Sequence, residues 1–519
     1  MKILVYSQVN AARIASCLGL PEYSYYFVLR DFLPALQRLG DVVIVETPEE
    51  VDDLYDQASA AGQRCVFLSF SPPQKTSLEL RCPTIPVFAW EFDSIPNEHW
   101  LDELSQNWGH VLSKCGRGIT HSGLTVQATK AELGEDFPII SVPSPVWDKY
   151  QGLRERPSAL PLVQPLRIEV RSGVVLDTHD VALAPYIPGV GAVANAVKAA
   201  RAQEQAASPA TTAEAPVIQP FRQQSRLQVT RRYLGEWYLR CLRELLPRTP
   251  CPVSTTATAA LTLVSEDTTK RMEPRNTVEP LLLPKAGVTL QTPQWNLTPC
   301  SFELSGVVFT ALFNPYDGRK NWVDMLTAFC AAFKDTADAT LLFKLGHHEY
   351  QSALNDMLMC MARMPAFRCR VVLLQGFLEG PEFDSLIRAS AFVVNASHGE
   401  GQCLPLMEFL SCGKPAIAPR HSAMLDYIDE EVAFVVDSWL DASAWSHDPR
   451  LAYRTCRHQI DWQSLREAYR SAYACVKEDP ERYARMSASA IERMRGHCSL
   501  DVASERLRAF LNPDEAPSR

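Results

Sequence analysis

The chain twice repeats an alternation of short apolar runs with longer helical patterns, and this feature constrains its fold more than any other. The pattern is clearest between residues 303 and 437. The predicted strands there are Ser305–Leu312, Ala339–Leu345, Arg370–Gln375, Ala391–Asn395 and Val432–Val436, and the predicted helices lie at 321–334, 349–363 and 381–389. Alternation of this kind predicts a parallel sheet with helices on both faces.

The first 150 residues show the same alternation, with a helical pattern at about residues 22–39. The predicted strands are Lys2–Ser7, Asp41–Glu46, Arg64–Phe70, Ile85–Trp90, Gly118–His121 and Ile139–Val142. The sequence therefore predicts two α/β domains, each with a doubly wound parallel sheet.

The segment between the two patterns has a different character. Proline becomes frequent, Ala192–Pro216 is rich in alanine, and a helix is predicted at Leu227–Leu246. This composition is typical of a linker or an inserted element. The predicted organisation is an N-terminal domain at 1–150, an insert or linker at 151–302, a C-terminal domain at 303–475 and a helical tail at 476–519.

Composition excludes some classes of protein. A length of 519 residues is too great for a single core, and a net charge of −9 gives no support for a nucleic-acid-binding protein. The 15 cysteines show neither the spacing of a zinc site nor a disulfide framework. Because no signal peptide and no apolar run near 18 residues are found, the expected location is the cytoplasm. No metal site is expected.

Residues 397–415 carry the most informative local pattern. They follow the apolar run Ala391–Asn395, which predicts a buried strand. Pro405 suits the first turn of a helix, and Gly413 suits its end. A strand, a tight loop and a helix in this order would direct backbone N–H groups toward an anion such as a diphosphate.

Two glutamates lie in this segment with seven residues between them, Glu400 and Glu408. An ionised carboxylate accepts two hydrogen bonds at once, so Glu408 is suited to hold a ribose diol and Glu400 to face sugar hydroxyls. Taken alone, the same spacing is typical of exposed loop and helix-start acids. The strand before the pair and the helix end after it favour a nucleotide-sugar site.

With these residues the C-terminal domain resembles the nucleotide-sugar domain of GT-B glycosyltransferases of the retaining family 4, whose E-x7-E motif matches Glu400 to Glu408. The resemblance covers residues 303–475 well and 1–148 more loosely. It implies two Rossmann-like domains that face a cleft, with the donor held by the C-terminal domain and the acceptor by the N-terminal domain. It implies that Glu400 contacts the donor sugar and Glu408 the ribose. The backbone amides implied to lie near the sugar and diphosphate belong to Gly401, Gln402, Cys403 and Leu404.

A second pattern lies between the first predicted strand of that domain and its helix. Arg319 and Lys320 are adjacent cations at a strand-to-helix turn, where they can neutralise a departing diphosphate. A solvated basic turn is the alternative. Lys320 matches the family lysine, but Asn314-Pro315 replaces the usual Gly-Arg pair, so the role of the arginine falls to Arg319.

Four further positions are candidates. Glu91 lies in a segment similar to a Trp-Glu-x-x-x-(Ile/Leu)-Pro segment of some family members; it would bind an acceptor hydroxyl or act as its base, or be a loop acid beside packed aromatics. Gly19 would approach the donor diphosphate or the acceptor. Gly376 resembles the family glycine beside the base, although any turn favours glycine. Lys344 ends a predicted strand. Its side chain could reach the cleft, but a lysine at the end of a strand is expected to be solvated.

The resemblance implies a hexosyltransferase that uses a nucleoside diphosphate sugar as donor, with retention and without a cofactor or metal. The implied acceptor is a saccharide or a lipid-linked saccharide, which would bring peripheral contact with a membrane. A non-catalytic nucleotide-sugar-binding or scaffold protein is the alternative, and an epimerase or phosphorylase of the same fold is a nearer one. The donor base, sugar and linkage stay open.

Overall fold

The computed structural model describes residues 1–10, 13–20, 22–100, 103–156, 159–186 and 296–512. All of them belong to one compact unit, which comprises Met1–Ile187 and Gln291–Arg519. The predicted helix Leu227–Leu246 and the alanine-rich segment lie outside the described residues.

The N-terminal sheet has six parallel strands in the order β2-β1-β3-β4-β5-β6. These strands are β1 (Lys2–Ser7), β2 (Asp41–Ile44), β3 (Cys65–Phe70), β4 (Thr84–Phe88), β5 (Gly118–Thr120) and β6 (Ile139–Ser141). The helices of this half are α1 (Ile14–Cys17), α2 (Tyr23–Gln37), α3 (Val51–Ala60), α4 (Trp108–Cys115), α5 (Gly123–Leu133) and α6 (Gln151–Glu155). Buried apolar side chains of β1, β3 and α2 form the centre of its core, as expected of strands covered on both faces.

The C-terminal sheet has eight strands in the order β14-β13-β12-β9-β10-β11-β7-β8. Its six parallel strands are β9 (Val307–Phe313), β10 (Ala339–Leu345), β11 (Arg370–Gly376), β12 (Phe392–Val394), β13 (Ala416–Pro419) and β14 (Ala433–Val436). In sequence rank their order is 6-5-4-1-2-3, which is the order of a Rossmann sheet. The predicted fold class of two Rossmann-like domains is therefore confirmed.

The C-terminal sheet begins earlier in the chain than residue 303. Strand β7 (Leu166–Asp177) pairs antiparallel with β11, and β8 (Thr298–Leu304) pairs antiparallel with β7. Strand β7 and most of β8 fall in the predicted insert at 151–302. Their alternating polar and apolar residues do not indicate a buried strand, and it is the pairing of β7 with β11 that places them in the sheet. The segment 166–177 is thus part of the C-terminal domain.

Helices cover both faces of the C-terminal sheet. They are α7 (Trp322–Ala332), α8 (Gln351–Ala362), α9 (Pro381–Ala389), α10 (Leu404–Ser411), α11 (Trp462–Glu478), α12 (Pro480–Cys498) and α13 (Leu500–Leu511). Helices α7, α8 and α11 pack on one face, and α9, α10 and α12 pack on the other. The predicted start of the tail at 476 falls inside α11, and α13 packs against the core of the N-terminal domain.

The structure also contains a two-stranded hairpin that the sequence did not indicate. It consists of β15 (Ser438–Ala444) and β16 (Tyr453–Ile460). The residues that follow β15 reach the N-terminal domain, where Trp445 is buried against Trp100. The hairpin therefore contacts the N-terminal domain as well as its own.

Candidate active site

The candidate site lies where the strand order of the C-terminal sheet reverses. Strand β9 is the first of the parallel strands in the sequence, and it lies between β10 and β12. The loops that leave the carboxyl ends of β9 and β12 therefore separate there and leave a crevice, which is the usual ligand position in such sheets. These loops carry residues 314–321 and 395–403, the two predicted motifs.

Glu400 and Lys320 form a buried ion pair in this crevice. The Lys320 ammonium donates to both carboxylate oxygens of Glu400, at 2.7 and 2.9 Å. Asn395 and Ser397 also donate to Glu400 Oε1, at 3.0 and 2.8 Å. Burial opposes ionisation, but the charges of Lys320 and Arg319 outweigh it and hold the pKa of Glu400 at about 2. The predicted pair of motifs thus meets around one ionised carboxylate.

Arg319 extends the cluster toward the N-terminal domain. Its guanidinium donates to Asp317 at 2.8 Å and to the Gly399 carbonyl at 3.1 Å. It also lies 3.4 Å from Glu91, which follows β4 of the other sheet. Burial raises the pKa of Glu91 and Arg319 opposes the rise. Glu91 is therefore brought to the site from the opposite domain, as predicted, with a carboxyl that binds a proton more readily than an exposed one.

The loop from 395 to 403 ends in a strained residue that begins α10. Cys403 has a φ of 61°, a left-handed conformation that is costly for a residue with a side chain. Pro405 has no N–H and the Leu406 N–H bonds to Cys403, so the Leu404 N–H is the group at the start of α10 that remains available to an anion. Asn321 has a φ of 53° in the same position before α7.

Gln402 and Cys403 are less open than the sequence implied. The Gln402 side chain accepts from the Ser144 amide at 3.1 Å, and its carbonyl accepts from the Tyr427 hydroxyl at 2.8 Å. The Cys403 thiol accepts from Asn395 at 3.2 Å, and burial raises its pKa to about 12. Their side chains therefore fix the loop, and their backbone is the part that could meet a ligand.

Glu408 lies on α10 and is held by the segment that follows the N-terminal sheet. Lys149 and the Tyr150 hydroxyl donate to the same oxygen, Oε1, at 2.9 and 2.7 Å. Asp31 of α2 is a second acid near this group; burial raises its pKa to about 6, although Lys149 opposes the rise. Because both bonds use Oε1, Oε2 remains free to accept from a ribose hydroxyl.

Two of the predicted glycines lie where the domains touch. A Cβ atom on Gly401 would lie 2.8 Å from Ala89 Cβ, and one on Gly19 would lie 2.3 Å from His347 Cδ2. Gly19 also has a φ of 82°, which favours glycine, and its carbonyl accepts from Asn314 at 2.8 Å. These glycines allow the carboxyl ends of the two sheets to meet closely.

Gly376 is the last residue of β11 and lies opposite Gly173 of β7. Its neighbour Gln375 donates to the His347 carbonyl at 2.7 Å, and its Oε1 atom is buried with no partner. The strand pairing accounts for a glycine at 376. A role beside a base stays a prediction.

Three residues at the site were missed by reasoning from the sequence. Lys149 and Tyr150 hold Glu408, but nothing in their local pattern marks them, because their role depends on the domain arrangement. Tyr23, the first residue of α2, is half-buried and lies near Lys320 and Glu400; burial of its hydroxyl raises the pKa of that group, although Lys320 opposes the rise. An aromatic run at the start of a helix directly after Gly19 was the available signal.

Two features of the described residues bear on other classes of ligand. Among residues 1–186 and 296–512 as described, no group of three or more His, Cys, Asp or Glu is placed to hold a metal ion. None of the helices in the same ranges combines the length and apolar character that a bilayer crossing needs.

The architecture is similar to several solved structures at low sequence identity. Anabaena Alr3699/HepE in complex with UDP is 11% identical, with 99% of this chain and 100% of that chain covered and a TM-score of 0.45. Sucrose-phosphate synthase from Thermosynechococcus elongatus is 10% identical, with both chains fully covered and a TM-score of 0.46. A glycosyltransferase from Rickettsia africae ESF-5 is 8% identical, with 99% of each chain covered and a TM-score of 0.46. No protein-family model and no curated protein matches the chain. Similarities this distant do not determine the function, so a proposal for the function has to rest on the geometry of the site.

Proposed function

We propose that the chain is a glycosyltransferase that moves a hexosyl group from a nucleoside diphosphate sugar to a saccharide-containing acceptor. The observation that carries the proposal is the ion pair of Glu400 and Lys320 at the switch point of a Rossmann sheet, faced by Glu91 from a second such sheet. A site of this kind offers cations that can bind a diphosphate and an ionised carboxylate that can accept hydrogen bonds from sugar hydroxyls. It also has a second carboxyl group on the side where the acceptor substrate would bind.

The donor occupies the C-terminal side of the crevice in this proposal. Glu408 accepts from the ribose through Oε2, and the uncapped start of α10 meets the diphosphate. Glu400 orients the hexose, and its low pKa keeps it ionised at any working pH. The amides of Gly401 to Leu404 line the path between these two groups.

The transfer breaks the bond between the anomeric carbon and the phosphate oxygen, and forms a bond from that carbon to the acceptor oxygen. Lys320 and Arg319 stabilise the negative charge that develops on the leaving diphosphate. We propose front-face attack with retention, in which the acceptor proton passes to a phosphate oxygen of the donor. In this scheme protein cations and a helix terminus supply the charge that a metal would otherwise provide.

The acceptor approaches from the N-terminal domain. Glu91 and the Tyr23 hydroxyl lie on that side of the cations, so we propose that they position the acceptor hydroxyl. Gly19 keeps the backbone of this wall close to the donor. A lipid-linked saccharide, with peripheral contact to a membrane, and a cytoplasmic location are part of the same proposal.

The test begins with nucleotide binding. Titration calorimetry with UDP, GDP, ADP and CDP should give one preferred nucleoside diphosphate. Glu408→Gln should weaken its binding about tenfold or more, since one charged hydrogen bond contributes about 1.5–3 kcal/mol. Glu430→Gln, an exposed control in the same domain, should bind as the unaltered protein does.

Turnover is the second measurement. With the matching nucleotide sugar, Lys320→Ala should lower the rate of sugar transfer or donor hydrolysis by about 10²–10³ while the nucleotide still binds. A Lys320→Ala protein with full turnover would contradict the assigned role.

The non-catalytic alternative rests on Asn314. Its amide donates to the Gly19 carbonyl at 2.8 Å, so the region that carries a Gly-Arg pair in many members of the resembled family serves a domain contact here. Tight nucleotide binding with no hydrolysis and no transfer to any acceptor saccharide would favour this alternative.

A further inference from the structure

Lys344 is a buried cation that has no partner among the described residues. It is 9% exposed, and within the described residues it forms no hydrogen bond and no ion pair. The expectation that this side chain is solvated is therefore wrong, because β10 is buried along its whole length. Burial lowers the pKa of Lys344 to about 8.

The other buried lysines of this domain differ from Lys344 in this respect. Lys320 is paired with Glu400, and Lys414 donates to the Arg388 carbonyl at 3.3 Å. A charge taken out of water without a partner costs several kcal/mol. A fold retains such a group at a cost in stability, and groups of this kind occur most often at functional sites.

The position of Lys344 identifies what it can reach. It is the penultimate residue of β10, at the carboxyl edge of the sheet, one strand away from the loop of Lys320. Its neighbours in the ladder are Leu312 and Leu374, which pack on the face that α9 and α10 cover. Lys344 thus shares a sheet face and a sheet edge with α10, the helix that bears Glu408.

The start of α10 is the second observation. Its Leu404 N–H is available, so this edge presents an N–H group at the positive end of a helix and an ammonium that has no partner among the described residues. Both groups favour an anion, and within the described residues no carboxylate pairs with Lys344.

We propose that Lys344 binds the diphosphate of the nucleotide donor, together with the N-terminus of α10. The assignment rests on the proposed function and adds a residue to it: a cation on β10, separate from Arg319 and Lys320, that acts in donor affinity. A carboxylate on the donor sugar has the same chemistry as a ligand, and the experiment separates the two sources.

The experiment compares Lys344→Met with the unaltered protein in titration calorimetry. The probes are the nucleoside diphosphate that the unaltered protein prefers among UDP, GDP, ADP and CDP, the corresponding nucleoside, and the glucose and uronic acid nucleotides of the same base. Lys334→Met, an exposed lysine of the same domain, is the matched control. Lys344→Gln serves as a second variant where the methionine variant fails to fold.

We expect Lys344→Met to bind the diphosphate at least about tenfold more weakly and the nucleoside equally well, while the control is unchanged. The melting temperature of the free variant should rise, because an unpaired buried charge has been removed. This combination distinguishes a binding role from a structural one, which would change the melting temperature and leave affinity unaltered.

Equal affinity of Lys344→Met and the unaltered protein for the diphosphate would overturn the proposal. An effect limited to a uronic acid nucleotide, with the glucose nucleotide and the bare diphosphate unaffected, would overturn it in favour of the sugar carboxylate. If the unaltered protein binds no nucleoside diphosphate, the proposed function itself fails. If it binds one and Lys344→Met binds it equally well, only the proposal for Lys344 fails.

Discussion

At the scale of single residues, the two glutamates of the 400–408 segment are held by different parts of the chain. Glu400 is bonded by groups of its own domain, Lys320, Asn395 and Ser397. Glu408 is bonded by Lys149 and Tyr150, which belong to the segment after the N-terminal sheet. The sugar side of the site is thus preorganised by loops of the C-terminal sheet, whereas the ribose side depends on a segment that is distant in the chain and packs against α10 through Tyr150.

Ser422 supports the preorganisation of Glu400. Its hydroxyl accepts from the Glu400 amide at 3.0 Å, and the Ala423 amide donates to the Glu400 carbonyl at 3.1 Å. Ser422 itself has a φ of 48°, so backbone strain is present on both sides of the crevice. Strain of this kind persists where the surrounding contacts hold a precise geometry.

Asp31 gives a pH-dependent prediction at this scale. Burial raises its pKa from 3.8 to about 6, with Lys149 opposing the rise, so the folded state binds a proton more tightly than the unfolded state does. The contribution of this group to stability is present below about pH 4 and is lost as pH rises through about 6. Asp31→Asn should therefore be more stable than the unaltered protein at pH 8, by roughly 2–3 kcal/mol for a two-unit shift.

Urea unfolding at pH 8 and pH 4.5 measures this effect, and the gain should shrink at the lower pH. Asp136→Asn, at an exposed loop position, is the control and should show no gain at either pH. A gain for Asp31→Asn that is equal at the two values would show that ionisation of Asp31 is not its source.

At the scale of elements, the sequence predicted the buried parallel strands and missed those with a polar or paired surface. Strands β9 to β12 have continuous apolar runs and were predicted within a few residues. Strand β13 is buried but was also missed, because Ala416–Pro419 contains a single β-branched residue and ends in proline. Strand β7 alternates charged and apolar residues, and what fixes it is a ladder to β11 that lies far along the chain.

The same distinction applies to the site. The motif residues Arg319, Lys320 and Glu400 are local to two loops, so their chemistry could be predicted from sequence spacing. Lys149 and Tyr150 could not, because they reach Glu408 only after both domains have folded. Pairing between distant segments is the information that a local pattern does not contain.

Strand β7 carries a prediction about this non-local pairing. Asp177 at its end accepts from Arg370 of β11 at 2.9 Å, and both side chains are nearly buried. Asp177→Ala leaves the Arg370 charge buried without a partner, which should destabilise the protein by roughly 3 kcal/mol. Urea unfolding followed by circular dichroism measures the loss.

Glu169→Ala is the matched control on the same strand, because Glu169 is exposed and lies 3.4 Å from an equally exposed Arg167. Its effect should stay within about 0.5 kcal/mol. Equal losses for the two variants would mean that the ion pair does not anchor β7 to β11.

At the scale of the whole molecule, the two domains are joined by an aromatic cluster as well as by the site. Trp445 and His447 follow β15 of the C-terminal domain and pack with Trp90, Trp100 and Trp108 of the N-terminal domain. One member of the cluster, Trp90, is the residue directly before Glu91 in the chain. The position of the acceptor-side carboxyl is therefore coupled to the packing of a distant hairpin.

This coupling is testable with two tryptophans of the hairpin region. Trp445 is 2% exposed and Trp439 is 55% exposed, so the same substitution can be made with and without a cavity. Trp445→Ala should cost about 3–5 kcal/mol in urea unfolding, whereas Trp439→Ala should cost less than about 0.5 kcal/mol. Circular dichroism reports both without relying on tryptophan emission.

Activity should separate the two variants in the same way. Because none of the residues that bond Glu400 or Glu408 belongs to the aromatic cluster, Trp445→Ala should keep most of its nucleotide affinity. Turnover should fall, since Glu91 loses the packing that positions it against Arg319. A loss of nucleotide affinity as large as the loss of turnover would place the effect in the donor domain instead. Retained turnover in a Trp445→Ala protein that is destabilised as expected would mean that Glu91 is held by the Arg319 contact alone, with the cluster serving stability.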